Sequence, residues 1–150
     1  MFGLKASTTR ESSPCLLKNV GVSDFNKQHL RLVSYAVEFN QMVEELAAKE
    51  PDASDWKRVD ALFSRVCLFV STHFREEEEQ MEKFGYPGYP GHKAQHDKFV
   101  ASLAKIQSQI NDRNVKFKGK LSTLLWDWLY NHINEVDVQY RDFFADKGLK

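Results

Sequence analysis

The sequence carries no excess charge: 21 lysines and arginines balance 21 aspartates and glutamates, for a formal net charge of +0. Such a chain has no electrostatic drive toward nucleic acid or an anionic membrane surface, so neither is expected as a partner. Long apolar runs are missing too. No stretch approaches the roughly 18 apolar residues of a membrane span. Between Met1 and Leu17, Lys5, Arg10 and Glu11 interrupt what would have to be the core of a signal peptide. The expected compartment is the cytoplasm. Cysteine is scarce, and Cys15 and Cys67 stand too far apart for a disulfide framework or a paired-cysteine metal site. Cys67 lies within Val66-Cys67-Leu68-Phe69-Val70 and reads as a small buried hydrophobe. Strand-like alternation and internal repeats are absent as well.

What the chain does contain is helical periodicity. Its 150 residues are 42% hydrophobic and 13% aromatic, enough for one domain with a sizeable core. Residues 1–22 are polar, rich in serine and threonine and aperiodic, and read as an N-terminal arm. Ser23 or Asp24 can cap a first helix, whose shared face carries Phe25, His29, Leu32, Ala36, Phe39, Val43 and Leu46. Pro51 cannot continue it. Ser54 or Asp55 can cap a second helix, with Val59, Leu62, Phe63, Val66, Val70, His73, Glu77, Met81 and Phe84 inward and Gly85 at its end.

After the turn Tyr86-Pro-Gly-Tyr-Pro-Gly91, a third helix starts near Gly91 and carries His92, His96, Phe99, Leu103, Ile106 and Ile110. The fourth begins between Lys116 and Leu121 and has the most regular stripe, from Leu121 through Leu125, Trp128, Leu129, His132 and Ile133 to Phe143. The expected fold is all-α: an antiparallel up-down-up-down four-helix bundle over residues 23–150.

All five histidines lie on these apolar stripes. One such histidine is usually a core imidazole satisfied by a hydrogen bond. Five of them, spread over four helices, hold too many polar atoms to satisfy without a metal or much water. His73 and Glu77 are four apart, as are His92 and His96, so each pair projects from one helix face. Histidine with carboxylate suits iron, zinc or manganese. Seven ligands overfill one tetrahedral site and fit two six-coordinate ions bridged by two carboxylates. The last carboxylate is open on spacing: Glu135 is three from His132, whereas Asp137 is five away, about 140° round at 3.6 residues per turn. Helical geometry favours Glu135. The other glutamates of Glu76-Glu-Glu-Glu79 read as a solvated face.

These residues resemble the hemerythrins, specifically the bacterial hemerythrin-like proteins. The resemblance runs from about Val20 to Leu149. It rests on a lone histidine on the first helix (His29), HxxxE on the second (His73, Glu77), HxxxH on the third (His92, His96) and HxxxxD on the fourth (His132, Asp137). It implies a non-heme centre of two iron ions, oxo- or hydroxo-bridged, with Asp137 rather than Glu135 as the last ligand. His92, His96 and His132 would bind one iron and His29 and His73 the other, with Glu77 and Asp137 between them.

The function implied is reversible binding of dioxygen at one open iron position, for oxygen carriage, storage or supply by a monomer that is not an enzyme. An oxygen pocket would be lined by Leu32, Ala36, Phe74, Trp128, Leu129 and Ile133. Ala36 stands where a larger aliphatic residue is common in the family, and Asn26 where an aspartate is frequent. The alternatives are an oxygen or redox sensor module and a di-iron peroxidase or nitric-oxide-handling enzyme. Against a carboxylate-rich oxidase, no glutamate stands three before any histidine.

Overall fold

The four periodic runs become four long helices in the computed structural model, which describes residues 17–150. Cys15 and most of the polar arm lie outside the described residues. Helix α1 spans Ser23–Leu46, α2 Ala53–Phe84 and α3 Tyr89–Asn111. The fourth helix is composite: α4 at Phe117–Trp128, a π-helical stretch at Leu129–Val136, a 3-10 turn at Asp137–Tyr140, and α5 at Arg141–Asp146. α1 and α3 each pack against both α2 and α4, closing a ring of four. The connectors at 47–52, 85–88 and 112–116 are short, so ring neighbours run antiparallel. Among the described residues there is no strand, and no helix is long and apolar enough to cross a membrane.

The helix ends show which local chemistry prevails. Neither Ser23 nor Asp24 caps α1; Val22 is the N-cap and makes no side-chain bond. α2 starts earlier than its Ser54 or Asp55 signal suggests, because Asp52 and Asp55 form a reciprocal capping box. Lys49 reinforces it with a 2.8 Å ion pair to Asp55. Gly85 ends α2 in the left-handed conformation (φ 70°), which glycine adopts without a Cβ clash. α3 begins at Tyr89, before Gly91, since Pro90 suits the first turn, where its missing N–H costs nothing.

Both ends of the bundle are packed around the apolar stripes, with Phe39, Phe63, Leu121 and Phe144 almost fully buried. Met42, rather than Val43, takes the inward position on α1. Cys67 is half-buried rather than fully buried, and burial pushes its thiol up to about 11.

Residues 17–22 are tied to the bundle. Val20 and Val22 are buried, and the Lys18 amide donates to Asn134 Oδ1 on the π-helical stretch (2.8 Å). Asn26 accepts from the Val20 amide and donates to Asn19 Oδ1. Gly21 has φ 83°, and a Cβ there would meet Arg141 Cγ at 2.6 Å.

Candidate metal centre

Seven ionisable side chains meet inside the bundle, and all are between 0% and 3% exposed: His29, His73, Glu77, His92, His96, His132 and Asp137. α1 contributes the first, α2 the next two, α3 two more and the fourth helix the last two. On α2 and α3 an ordinary α-helix suffices, because residues four apart share a face. The fourth helix cannot work that way.

Its answer is the π-helical stretch. A π-helix bonds i to i+5, so its turn is wider than an α turn and brings residues five apart onto one face. His132 lies inside Leu129–Val136 and Asp137 immediately follows it. Their side chains meet at 2.9 Å, while Glu135 is exposed on the outside. The 3-10 turn then has about three residues per turn, which places Tyr140 on the same side as Asp137. The Tyr140 hydroxyl donates to Glu77 Oε1 at 3.1 Å.

The two carboxylates divide their oxygens between two sets of imidazoles. Glu77 Oε1 lies 3.3 Å from His29 Nε2 and 3.0 Å from His73 Nε2; Oε2 lies 3.3 Å from His92 Nε2 and 3.4 Å from His96 Nε2. Asp137 Oδ2 faces His29 Nε2 at 3.1 Å, and Oδ1 faces His92 and His132 at 3.0 and 2.9 Å. The donor atoms fall into two groups, each within 4.8 Å of one another. One is Glu77, His92, His96, His132 and Asp137; the other is His29, His73, Glu77 and Asp137. Each could hold a cation, and the carboxylates belong to both.

The outer edges of the rings show why a cation fits. His73 Nδ1 donates to Gln28 Oε1, whose amide in turn donates to Glu76 Oε2. His96 Nδ1 donates to Glu78 Oε1 at 2.8 Å, and His132 Nδ1 donates to Gln95 Oε1 at 3.1 Å. With the proton held outward on Nδ1, each ring turns its Nε2 lone pair into the cage, the arrangement of a metal-binding histidine. His73 Nε2, His96 Nε2, Glu77 Oε2 and both Asp137 oxygens have no hydrogen-bond partner among the described residues. Buried polar atoms left unpaired cost on the order of 1–3 kcal/mol each, and a shared cation would satisfy them together.

These outer contacts correct one expectation. Glu76 and Glu78 are not merely a solvated face: they brace Gln28 and His96. Gln28 and Gln95 carry a weak signal, since each precedes a cage histidine by one residue yet bonds an imidazole on another helix.

Electrostatics follow the same geometry. Burial works against a charged His29 or His92, but the close carboxylates of Asp137 and Glu77 outweigh it and raise both to about 9. Burial also opposes ionisation of Glu77 and Asp137. For Asp137 the charge of Glu77 opposes it further. The facing histidines nonetheless hold both carboxyls below the ordinary range. His132 is lowered, chiefly by burial. Burial, with the nearby carboxylates, pushes Tyr140 well up, so it remains a donor.

Leu32, Ala36, Phe74, Leu129 and Ile133 are all buried. Phe74 stacks on His96 with ring centroids 3.8 Å apart. Trp128 is half-buried and stacks on His132 at 4.1 Å. These two aromatics therefore pack on the three-histidine group.

Comparison with known proteins places this arrangement among relatives. The family model described as hemerythrin HHE cation binding domain matches residues 20–140, a range that encloses all seven cage residues. A bacteriohemerythrin of Methylococcus capsulatus is 37% identical over 84 residues, 56% of this chain and 61% of that protein, so the match spans less than two thirds of that relative. A bacteriohemerythrin of Stenotrophomonas maltophilia is 28% identical over 124 residues, covering 83% of this chain and 75% of that one. The fold is that of a solved structure described as wild-type hemerythrin, with TM-score 0.69 at 24% identity over 87% of this chain and 93% of the other.

Proposed function

The chain belongs to the hemerythrin family, and from that membership and its cage we propose that it holds two iron ions and binds dioxygen reversibly, for carriage, storage or supply. His92, His96 and His132 hold one ion, and His29 and His73 hold the other. Glu77 and Asp137 each give one oxygen to either side. The observation that carries the reading is this division of both carboxylates, with the two oxygens of each directed at different imidazole groups. The group with two histidines offers one donor fewer than the other, which leaves room there for a small ligand.

When bound, the iron pair supplies the electrons that make dioxygen a ligand. The protein's part is to position and exclude. Gln28, Glu78 and Gln95 fix the ring orientations from outside. Tyr140 holds Glu77 through Oε1. Leu32, Ala36, Phe74, Trp128, Leu129 and Ile133 form the apolar surround that keeps bulk water and anions away while admitting a small apolar gas. Binding of this kind needs no turnover, and the chain is a carrier, not an enzyme. It works as a cytoplasmic monomer, and its zero net charge gives it no electrostatic drive toward nucleic acid or an anionic membrane surface.

The test is an optical spectrum of reduced, iron-loaded protein before and after oxygen, followed by an argon purge. A visible band that rises with oxygen and vanishes on purging supports the carrier. A spectrum unmoved by oxygen, or one that changes permanently on first exposure, rejects it.

A further inference from the structure

The cage is sealed on most sides, yet iron must reach it. Between α3 and the fourth helix lies a cleft of about 850 Å³ lined by Gln95, Lys120, Asp127, Asn131, His132 and Glu135, among others. His132 belongs to both cage and cleft. Its Nε2 faces Asp137 at 2.9 Å, and its Nδ1 is latched to Gln95 Oε1 at 3.1 Å, so the ring closes the cleft floor.

We propose that this cleft is the path by which a hydrated divalent cation enters and leaves the cage, with His132 as its gate. The proposal rests on the metal reading above. Three observations carry it. First, of the seven cage residues His132 alone lines this cleft, where it is held by its Nδ1 bond to Gln95, an exposed residue, and by the Trp128 ring stacked on it. Second, His132 sits in the π-helical stretch, where the backbone departs from α geometry and such departures cluster at functional sites. Third, the cleft presents the carboxylates of Asp127 and Glu135 against the one ammonium of Lys120. Lining of one net sign raises the local concentration of the opposite ion. Turning the His132 ring outward exposes Asp137 and His92, which then take the cation from the cleft before the ring returns.

The experiment measures Co²⁺ uptake by the metal-free full chain, and its loss to a chelator, by stopped-flow absorbance. Thr123→Trp and Asn131→Trp plug the cleft from two exposed positions, so misfolding of one leaves the other informative. Ala61→Trp, exposed in the groove between α1 and α2, is the control. Uptake and loss should slow together by about tenfold or more in the plugged variants, a barrier rise of about 1.4 kcal/mol. Stoichiometry and Kd should stay unchanged, because a path affects rates and not end states. The control should match the native chain.

Native rates in both plugged variants overturn the proposal. So does a changed Kd, which would mean that the plug acts on the cage itself. If the unmodified chain fails to take up two ions, it is the metal reading that fails, an outcome separate from the plug comparison.

Discussion

Loading metal-free protein at pH 7 should expel about two protons per chain. His29 and His92 both stand at about 9, because the carboxylates of Asp137 and Glu77 that face each ring outweigh its burial. Both are therefore imidazolium at pH 7, and both must lose a proton to serve as the proposed ligands. Each histidine's folded pKa lies above its ordinary 6.5. Its contribution to stability is thus fully present below pH 6.5 and is lost as pH rises through about 9. A rise from 6.5 to about 9 corresponds to about 3 kcal/mol for either ring. The two share the same pair of carboxylates, so together they contribute less than twice that.

Calorimetric titration with Co²⁺ in buffers of different ionisation enthalpy counts the protons directly. Solvent ionised on the metal adds to the total, so the pH dependence is diagnostic. At pH 9 each ring is half protonated, and the count should fall by about one between pH 7 and 9. Asp137→Asn removes a carboxylate charge that faces both rings, and imidazole NMR titration of that metal-free variant should find both pKa values lowered. A proton count that stays flat from pH 7 to 9 would refute the reasoning.

Three further outcomes are expected. Glu135→Gln should keep two ions per chain by metal analysis, whereas Asp137→Leu should not; equal retention would contradict the π-helical placement. His73→Ala should lower the stoichiometry from two to one, since the three-histidine group keeps its own donors. Retention of two ions would mean that His73 is dispensable, and loss of both would mean that the groups are not separable. Asp52→Ala breaks the α2 capping box and should cost about 1 kcal/mol, lowering Tm by about 2–4 °C in a scanning melt. Ser54→Ala, which leaves that box intact, should melt like the native chain.

Much of this architecture was legible because it depends on period. The stripe from Phe25 to Leu46, and the residues Val59 to Met81, repeat at three and four, and Pro51 and Gly85 interrupt them for local backbone reasons. His73 with Glu77 and His92 with His96 could be paired for the same reason. Asp137 could not. At 3.6 residues per turn Glu135 lies nearer His132, and nothing in Leu129–Val136 announces a wider turn; only family resemblance pointed to Asp137. The roles of Glu76 and Glu78 were hidden differently. Each lies off the apolar face of α2, and its partner is a side chain brought close by packing of another helix. Polar contacts across helices carry no sequence period.

The composite fourth helix also bears on how this chain tolerates changes in length. A π-helical stretch amounts to an α-helix that has accommodated a surplus residue, here beside the imidazole and its carboxylate. The 3-10 turn that follows overwinds and takes up part of the slack, so Tyr140 and Phe144 still point into the core at 0% exposure. Insertions and deletions ordinarily rotate everything downstream in a packed helix. In this one the offset is absorbed within a few turns, and the spacing at the cage can differ from that of the bundle supporting it.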